Sequence, residues 1–263
     1  AALVQATWLG YPNTTGLATM DYRITDAFAD PVGATERYHS ESLMRLPTGF
    51  LCYQAPEDAP DVEVLPARKI GCITFGSFNS LAKVTPRVVA LWARVLREVP
   101  GSRLLLKNKS FRDAGVCERY YRLFVEHEIE RNRLDLVAFM PRRQHYMSYG
   151  KVDIGLDTFP YNGTTTTCEA LWMGVPVVTM AGQGHAGRVG VSLLSQLGHG
   201  DWIAADEDDY VRIAAHYARS MDYLVELRAA LRQKVSASKL CDGRRFAREM
   251  EDAFYEMRAS KVA

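Results

Sequence analysis

Four consecutive threonines, residues 164–167, follow Asn162-Gly163 and precede Cys168-Glu169. Hydroxyls and the free backbone N–H groups of a helix start converge where the helix dipole is positive, an arrangement that suits a diphosphate. One threonine there is an ordinary N-cap. Four, placed after a Pro/Asn/Gly turn that closes an apolar strand, point to an anion site at the carboxyl end of that strand. Glu169 stands one turn into the same helix. It suits ribose hydroxyls as an acceptor, or it is a helix-start carboxylate favoured by the dipole; the spacing leaves both readings open.

Three more loops follow apolar strands in the same way. Gly76-Ser77-Phe78-Asn79-Ser80-Leu81-Ala82-Lys83 carries a lysine able to neutralise charge on a leaving phosphate, although a lone lysine is more often solvated. Pro141-Arg142-Arg143-Gln144-His145 offers a cation and a flat ring to a nucleotide; alone, His145 reads as a surface or capping histidine. Gly182-Gln183-Gly184-His185-Ala186-Gly187-Arg188 is glycine-rich and follows a strand ending at Met180. Four loops on one sheet edge, each with a polar or charged residue, outweigh any one of them.

The elements that carry these loops alternate. Apolar runs predict strands over 71–76, 103–107, 134–138, 152–157, 175–180 and 202–204. Helical spacing predicts helices over 85–99, with Pro86 in the first turn, and over 114–130, 142–149, 165–173 and 189–197. Such alternation is the signature of an α/β fold with a Rossmann-like, doubly wound parallel sheet. Helices over 207–219, 221–236 and 244–257 close the chain. Ahead of this unit, strands over 3–9 and 20–26 flank a turn-rich loop. Residues 55–66 are rich in proline and acid and lack periodicity, as a linker does.

Composition excludes several classes. The 263 residues carry 32 Lys+Arg against 31 Asp+Glu, which argues against a nucleic-acid-binding tail or an acidic disordered segment. With 48% hydrophobic residues the chain can fill a sizeable core, yet no apolar run approaches the roughly 20 residues that span a bilayer. Five scattered cysteines, none in a C-x-x-C spacing, argue against a zinc site and a disulfide framework and for a reducing, cytoplasmic setting. The start at Ala1-Ala2-Leu3 reads as a cut through a longer protein. No G-x-G-x-x-G and no Walker lysine motif occurs, so a nicotinamide oxidoreductase or a P-loop enzyme lacks its fingerprint.

Several long motifs, in order, resemble one family. Trp8-Leu9-Gly10-Tyr11-Pro12-Asn13-Thr14-Thr15-Gly16, Asp21-Tyr22-Arg23-Ile24-Thr25-Asp26, Phe78-Asn79-Ser80-Leu81-Ala82-Lys83, Leu156-Asp157-Thr158-Phe159-Pro160-Tyr161-Asn162-Gly163-Thr164-Thr165-Thr166-Thr167-Cys168-Glu169 and Arg188-Val189-Gly190 are similar to the catalytic region of protein O-GlcNAc transferases and SPINDLY proteins. The resemblance implies the GT-B architecture, two Rossmann-like lobes across a cleft. Residues 1–55 would end the N-terminal lobe, 56–67 link, 68–240 form the nucleotide-sugar-binding lobe, and 241–263 hold a helix returning to the first lobe.

It further implies inverting, metal-independent transfer of a sugar from a nucleotide donor to Ser or Thr hydroxyls of acceptor proteins. No cofactor, metal, nucleic acid or membrane is expected. The partners implied are the nucleotide sugar, the acceptor protein, an upstream lobe and tetratricopeptide repeats; the cell compartment is the cytoplasm, or also the nucleus in a eukaryote. Lys83 matches the lysine that stabilises the diphosphate leaving group. Thr165 and Thr166 match donors at the pyrophosphate, Glu169 the acid at the ribose, and His145 the ring beside the base. Arg142 stands in place of a ribose-contacting lysine. Thr164 and Ser80 replace a histidine and a glutamine of the O-GlcNAc transferase pocket, and Asn79 and His185 complete the expected donor-binding set. The Thr-rich version is shared by SPINDLY-type O-fucosyltransferases, so GDP-fucose is the alternative to UDP-GlcNAc. The family's proposed proton acceptors would lie upstream, and this chain alone would bind donor without efficient turnover. A binding module without turnover is the reading from another class.

Overall fold

The computed structural model describes residues 2–262. It contains two parallel sheets. The smaller holds β1 (Ala6–Thr7), β2 (Tyr22–Asp26) and β3 (Ser42–Leu46) in that order. The strand expected over 3–9 pairs only at Ala6 and Thr7. Trp8 turns away to donate its Nε1 to the Phe50 carbonyl at 2.8 Å and to stack on Phe246. Sequence reading does not find β3, because only Leu46 of its five residues is fully buried and no alternating apolar pattern marks it.

The larger unit follows: α1 (Ala67–Ile70), β4 (Thr74–Ser77), α2 (Pro86–Glu98), β5 (Arg103–Lys107), α3 (Ala114–Val125), β6 (Leu134–Val137), α4 (Arg142–Ser148), β7 (Ile154–Leu156), α5 (Thr165–Trp172), β8 (Val177–Met180), α6 (Val189–Gln196) and β9 (Ile203–Ala204). Helices α7 (Glu207–Ala218), α8 (Met221–Ser236) and α9 (Gly243–Val262) complete it. The strand order β6-β5-β4-β7-β8-β9, with every pair parallel, is the doubly wound order expected. Winding reverses between β4 and β7, so a crevice opens beyond their carboxyl ends.

Local chemistry sets the element ends. Thr85 accepts the Val88 N–H to start α2, with Pro86 in its first turn, and Asp113 accepts the Val116 N–H to start α3. Helix α3 stops at Val125, short of the expected residue 130. Glu128 adopts a φ of 64°, and the Ile129 N–H returns to the Phe124 carbonyl at 3.0 Å, which drops Ile129 into the core. The apolar face of α2 (Val88, Leu91, Trp92, Val95, Leu96) lies over the sheet core of Phe75, Leu104, Leu106 and Ile154. Each such side chain contributes about 1.5–3 kcal/mol by leaving water.

Buried polar groups tie the pieces. Asp153 accepts the N–H groups of Ala67 and Thr74 at 2.9 and 2.8 Å. Arg228, 2% exposed, donates to the carbonyls of Glu63, Val152 and Tyr149, anchoring the 55–66 stretch to the sheet. Asp26 at the end of β2 accepts the Phe50 N–H at 3.0 Å and the Ser192 hydroxyl at 2.6 Å. Helix α9, longer than the expected 244–257, packs Ala253 and Met257 on Ile24 and Leu46 of the small sheet.

Candidate active site

Strand β7 ends at Leu156 and hands over to Asp157, which is buried. Its carboxylate accepts the N–H groups of Thr158 (2.8 Å) and Gly163 (2.7 Å) and the Thr179 hydroxyl (2.8 Å), with Asn79 Nδ2 at 3.4 Å. Burial pushes its pKa up to about 6 against those donors and the charge of Lys83. Gly163 must lack a side chain: a Cβ there would stand 2.7 Å from Asn79 Oδ1 and 2.6 Å from Thr166 Oγ1. Thr166 donates to that same Asn79 oxygen at 3.0 Å. One carboxylate therefore locks the loop after β4 to the loop that enters α5. Sequence reading did not single out Asp157; the available signal was an acid placed directly after an apolar, buried strand.

Lys83 reaches this junction from the loop after β4. Its Nζ donates to the Asn162 carbonyl at 2.8 Å and stands 3.7 Å from the centroid of the Tyr161 ring. Burial lowers its pKa, and the Asp157 charge opposes that. The Asn162 N–H donates to the Ala186 carbonyl at 2.9 Å, and its side-chain amide to the Thr158 carbonyl at 2.8 Å. Asn162 thus connects the lysine to the glycine-rich loop after β8.

A second cluster forms around Glu169. Its carboxylate accepts from His145 Nε2 at 2.9 Å, Tyr146 at 3.1 Å and Tyr149 at 3.0 Å. Burial raises its pKa, but His145 and the two tyrosines outweigh burial and hold it below its ordinary value. Lys107, the last residue of β5, places Nζ 2.7 Å from His145 Nδ1. The Phe78 ring centroid lies 4.3 Å from that of Tyr149 and 5.6 Å from that of His145, in a cluster of mutually tilted rings. Lys107, Tyr146 and Tyr149 are not marked by any local pattern, since their partners, His145 for the lysine and Glu169 for the tyrosines, lie on different elements.

A cavity of about 270 Å³ lies between Trp8, Leu9 and Pro12 on one side and Thr164, Thr165 and His185 on the other. Thr164 makes no capping bond, and Thr165 is exposed, so the start of α5 faces open space. His185 is buried, with Nδ1 2.6 Å from Asp30 Oδ2. Burial raises the Asp30 pKa, yet His185, His39 and Thr25 together hold it well below the usual carboxylate range.

The expected residues thus gather in three groups: Lys83, Asn79 and Thr166; His145 and Glu169; Thr164, Thr165 and His185. Ser80 and Arg142 join none of these contacts and are exposed, Ser80 next to Asn79 and Arg142 one turn before His145. Ser80 makes no capping bond, and Arg142 lies 3.8 Å from exposed Asp58. Among the described residues, no group of three or more His, Cys, Asp or Glu could hold a metal ion, and no helix is long and apolar enough to cross a membrane.

A doubly wound sheet whose crevice gathers a lysine, a threonine-rich helix start and a carboxylate beside aromatic rings defines a GT-B-type glycosyltransferase fold. The chain belongs to glycosyl transferase family 41, whose family model matches residues 1–56 and 64–250. It is 49% identical over 257 residues to the tomato protein named probable UDP-N-acetylglucosamine–peptide N-acetylglucosaminyltransferase SPINDLY, covering 97% of this chain and 28% of that protein. The Arabidopsis protein with the same enzyme name and the suffix SEC is 30% identical, with 97% and 27% covered. A solved mutant of the Thermobaculum terrenum O-GlcNAc transferase superposes at a TM-score of 0.91 and 36% identity, over 98% of this chain and 49% of that one. The chain therefore spans little more than a quarter of the length of these curated relatives.

Proposed function

We propose that this chain is the donor-binding part of a protein O-glycosyltransferase that moves N-acetylglucosamine from UDP-GlcNAc to Ser and Thr hydroxyls of proteins, with inversion and without a metal. The observation that carries this reading is the meeting of Lys83, Asn162 and the α5 threonines across the crevice between β4 and β7. The β-phosphate oxygens gain negative charge as the sugar leaves. The Lys83 ammonium, the Thr165 and Thr166 hydroxyls and the α5 dipole face that charge already oriented. Glu169 takes the ribose hydroxyls, with Arg142 beside it, while His145 and Phe78 flank the base. Thr164, Asn79 and Ser80 complete the nucleotide pocket, with His185 beside it. The acceptor protein and an upstream lobe with tetratricopeptide repeats would meet the donor from outside this chain, in the cytoplasm.

The alternative donor rests on the family resemblance: identity is 49% to the SPINDLY relative against 30% to the SEC relative, both named for UDP-N-acetylglucosamine. Thr164 and Ser80 fit that branch, whose resemblance implies GDP-fucose. Calorimetric titration of the chain with UDP and with GDP separates the two. Preference for UDP supports GlcNAc transfer and preference for GDP supports fucose transfer. Binding of neither by the full-length protein would overturn the glycosyltransferase reading.

A further inference from the structure

We propose that the buried pair His185–Asp30, rather than the upstream groups that the resemblance implies, is the proton acceptor for the sugar-receiving hydroxyl, an assignment that rests on the transferase reading above. The pair joins two parts of the chain 155 residues apart, Asp30 beyond β2 and His185 in the loop after β8. The Asp30 carboxylate receives His185 Nδ1 at 2.6 Å, His39 Nε2 at 3.3 Å and the Thr25 hydroxyl, so every contact on it is a donor. A carboxylate so surrounded keeps a proton on Nδ1 of His185 and leaves the lone pair on Nε2. Among the described residues that Nε2 has no hydrogen-bond partner and, unlike the unpartnered Nδ1 of His39, is not sealed away from solvent. An imidazole with one nitrogen fixed by an aspartate and the other open is the arrangement of a general base.

Its position matches the role. His185 lines the 270 Å³ cavity at Thr164 and Thr165. It also lines a second groove of about 490 Å³, bounded by Asn13, Phe159, Pro160 and the backbone of Gly182, Gly184 and Gly187. It is the residue common to the donor-side cavity and an open groove in which Gly184 faces free space, while Gly182 and Gly187 pack against each other. Asn162 places Lys83 on the same framework, since its carbonyl takes the lysine and its N–H holds Ala186, the neighbour of His185. In the step proposed, the Ser or Thr oxygen forms a bond to the anomeric carbon as the bond from that carbon to the β-phosphate oxygen breaks. The electron pair leaves with the nucleoside diphosphate toward Lys83, and the hydroxyl proton passes to His185 Nε2, where Asp30 stabilises the resulting imidazolium.

The test is His185→Ala in the full-length protein, measured for transfer to a Ser/Thr peptide from UDP-GlcNAc and from GDP-fucose. The expected result is a kcat loss of about 10²–10⁴-fold, nucleotide affinity within about twofold of wild type, and partial recovery of kcat with added imidazole. Retained kcat, a loss that imidazole does not repair, or a fall in nucleotide affinity would overturn the assignment. If thermal melting shows the alanine variant unfolded, His185→Gln, whose amide can keep the bond to Asp30, carries the same expectation for kcat and affinity. Absence of transfer by the wild-type protein from either donor would overturn the transferase reading itself.

Discussion

The ammonium of Lys107 stands 2.7 Å from Nδ1 of His145. An ammonium has only hydrogens to offer, so Nδ1 presents its lone pair and the ring proton sits on Nε2, aimed at Glu169. The proton that His145 offers to the carboxylate is therefore set by one lysine at the end of β5. Replacing Glu169 with Gln removes the charge that receives His145, Tyr146 and Tyr149. Nucleotide affinity should fall about tenfold, the worth of one charge-assisted hydrogen bond. Titration calorimetry checks it, and unchanged affinity would mean that Glu169 serves only its own helix.

Lys83→Ala should lower kcat by about 10²–10³-fold in the full-length protein, as loss of one oriented charge donor does. The lysine is half-buried and contacts Asn162 and Tyr161 without filling the core, so the melting temperature should barely move. Parallel loss of activity and thermal stability would make Lys83 a structural residue.

The Asp157 carboxyl titrates at about 6 in the folded chain against an ordinary 3.8, because burial penalises its charge. The folded state then holds the proton more tightly than the unfolded one. Stability from this group is complete below about pH 4 and is lost as pH rises toward 6, by about 3 kcal/mol for a displacement of this size. Urea unfolding of wild type and Asp157→Asn across pH 4 to 7 should show the decline in the wild type and its absence in the variant. Identical pH dependence in both would refute the assignment.

Arg228→Met keeps most of the side-chain volume but leaves the carbonyls of Glu63, Val152 and Tyr149 without their donor and Asp153 without its counter-charge. The expected cost is about 3–5 kcal/mol, read as a lower denaturant midpoint. A change below about 1 kcal/mol would show that the 55–66 stretch is held by other contacts.

The parallel sheet and its ligand-facing edge are legible in the sequence, because the strands are short apolar runs and the loops after β4 to β8 break the pattern with Asn, Gly or Pro. The threonine run and the helix carrying Glu169 are legible in the same way, whereas Lys83, by itself more often a solvated lysine, is singled out by the family resemblance. What escapes is set by distant partners. Asp30 meets His185 and Asp26 meets Ser192 only after two sheets come together, and nothing local to Asp30 marks it as different from other acids. Glu128 ends α3 in a left-handed conformation, a choice made by the burial of Ile129 rather than by any Gly or Pro. β3 is drawn into the small sheet by pairing with β2, without an apolar pattern of its own.

The locked junction of Asp157, Asn79, Gly163 and Thr166 contrasts with Ser80, Thr164 and Arg142, which hold nothing in place. Substitution at a solvated position changes stability by only about half a kcal/mol. Substitution in the junction breaks several interlocked bonds at once. Descendants of this chain can therefore drift toward a new base or sugar by exchanging rim residues, one at a time and each nearly neutral for folding, while the phosphate-handling centre stays frozen.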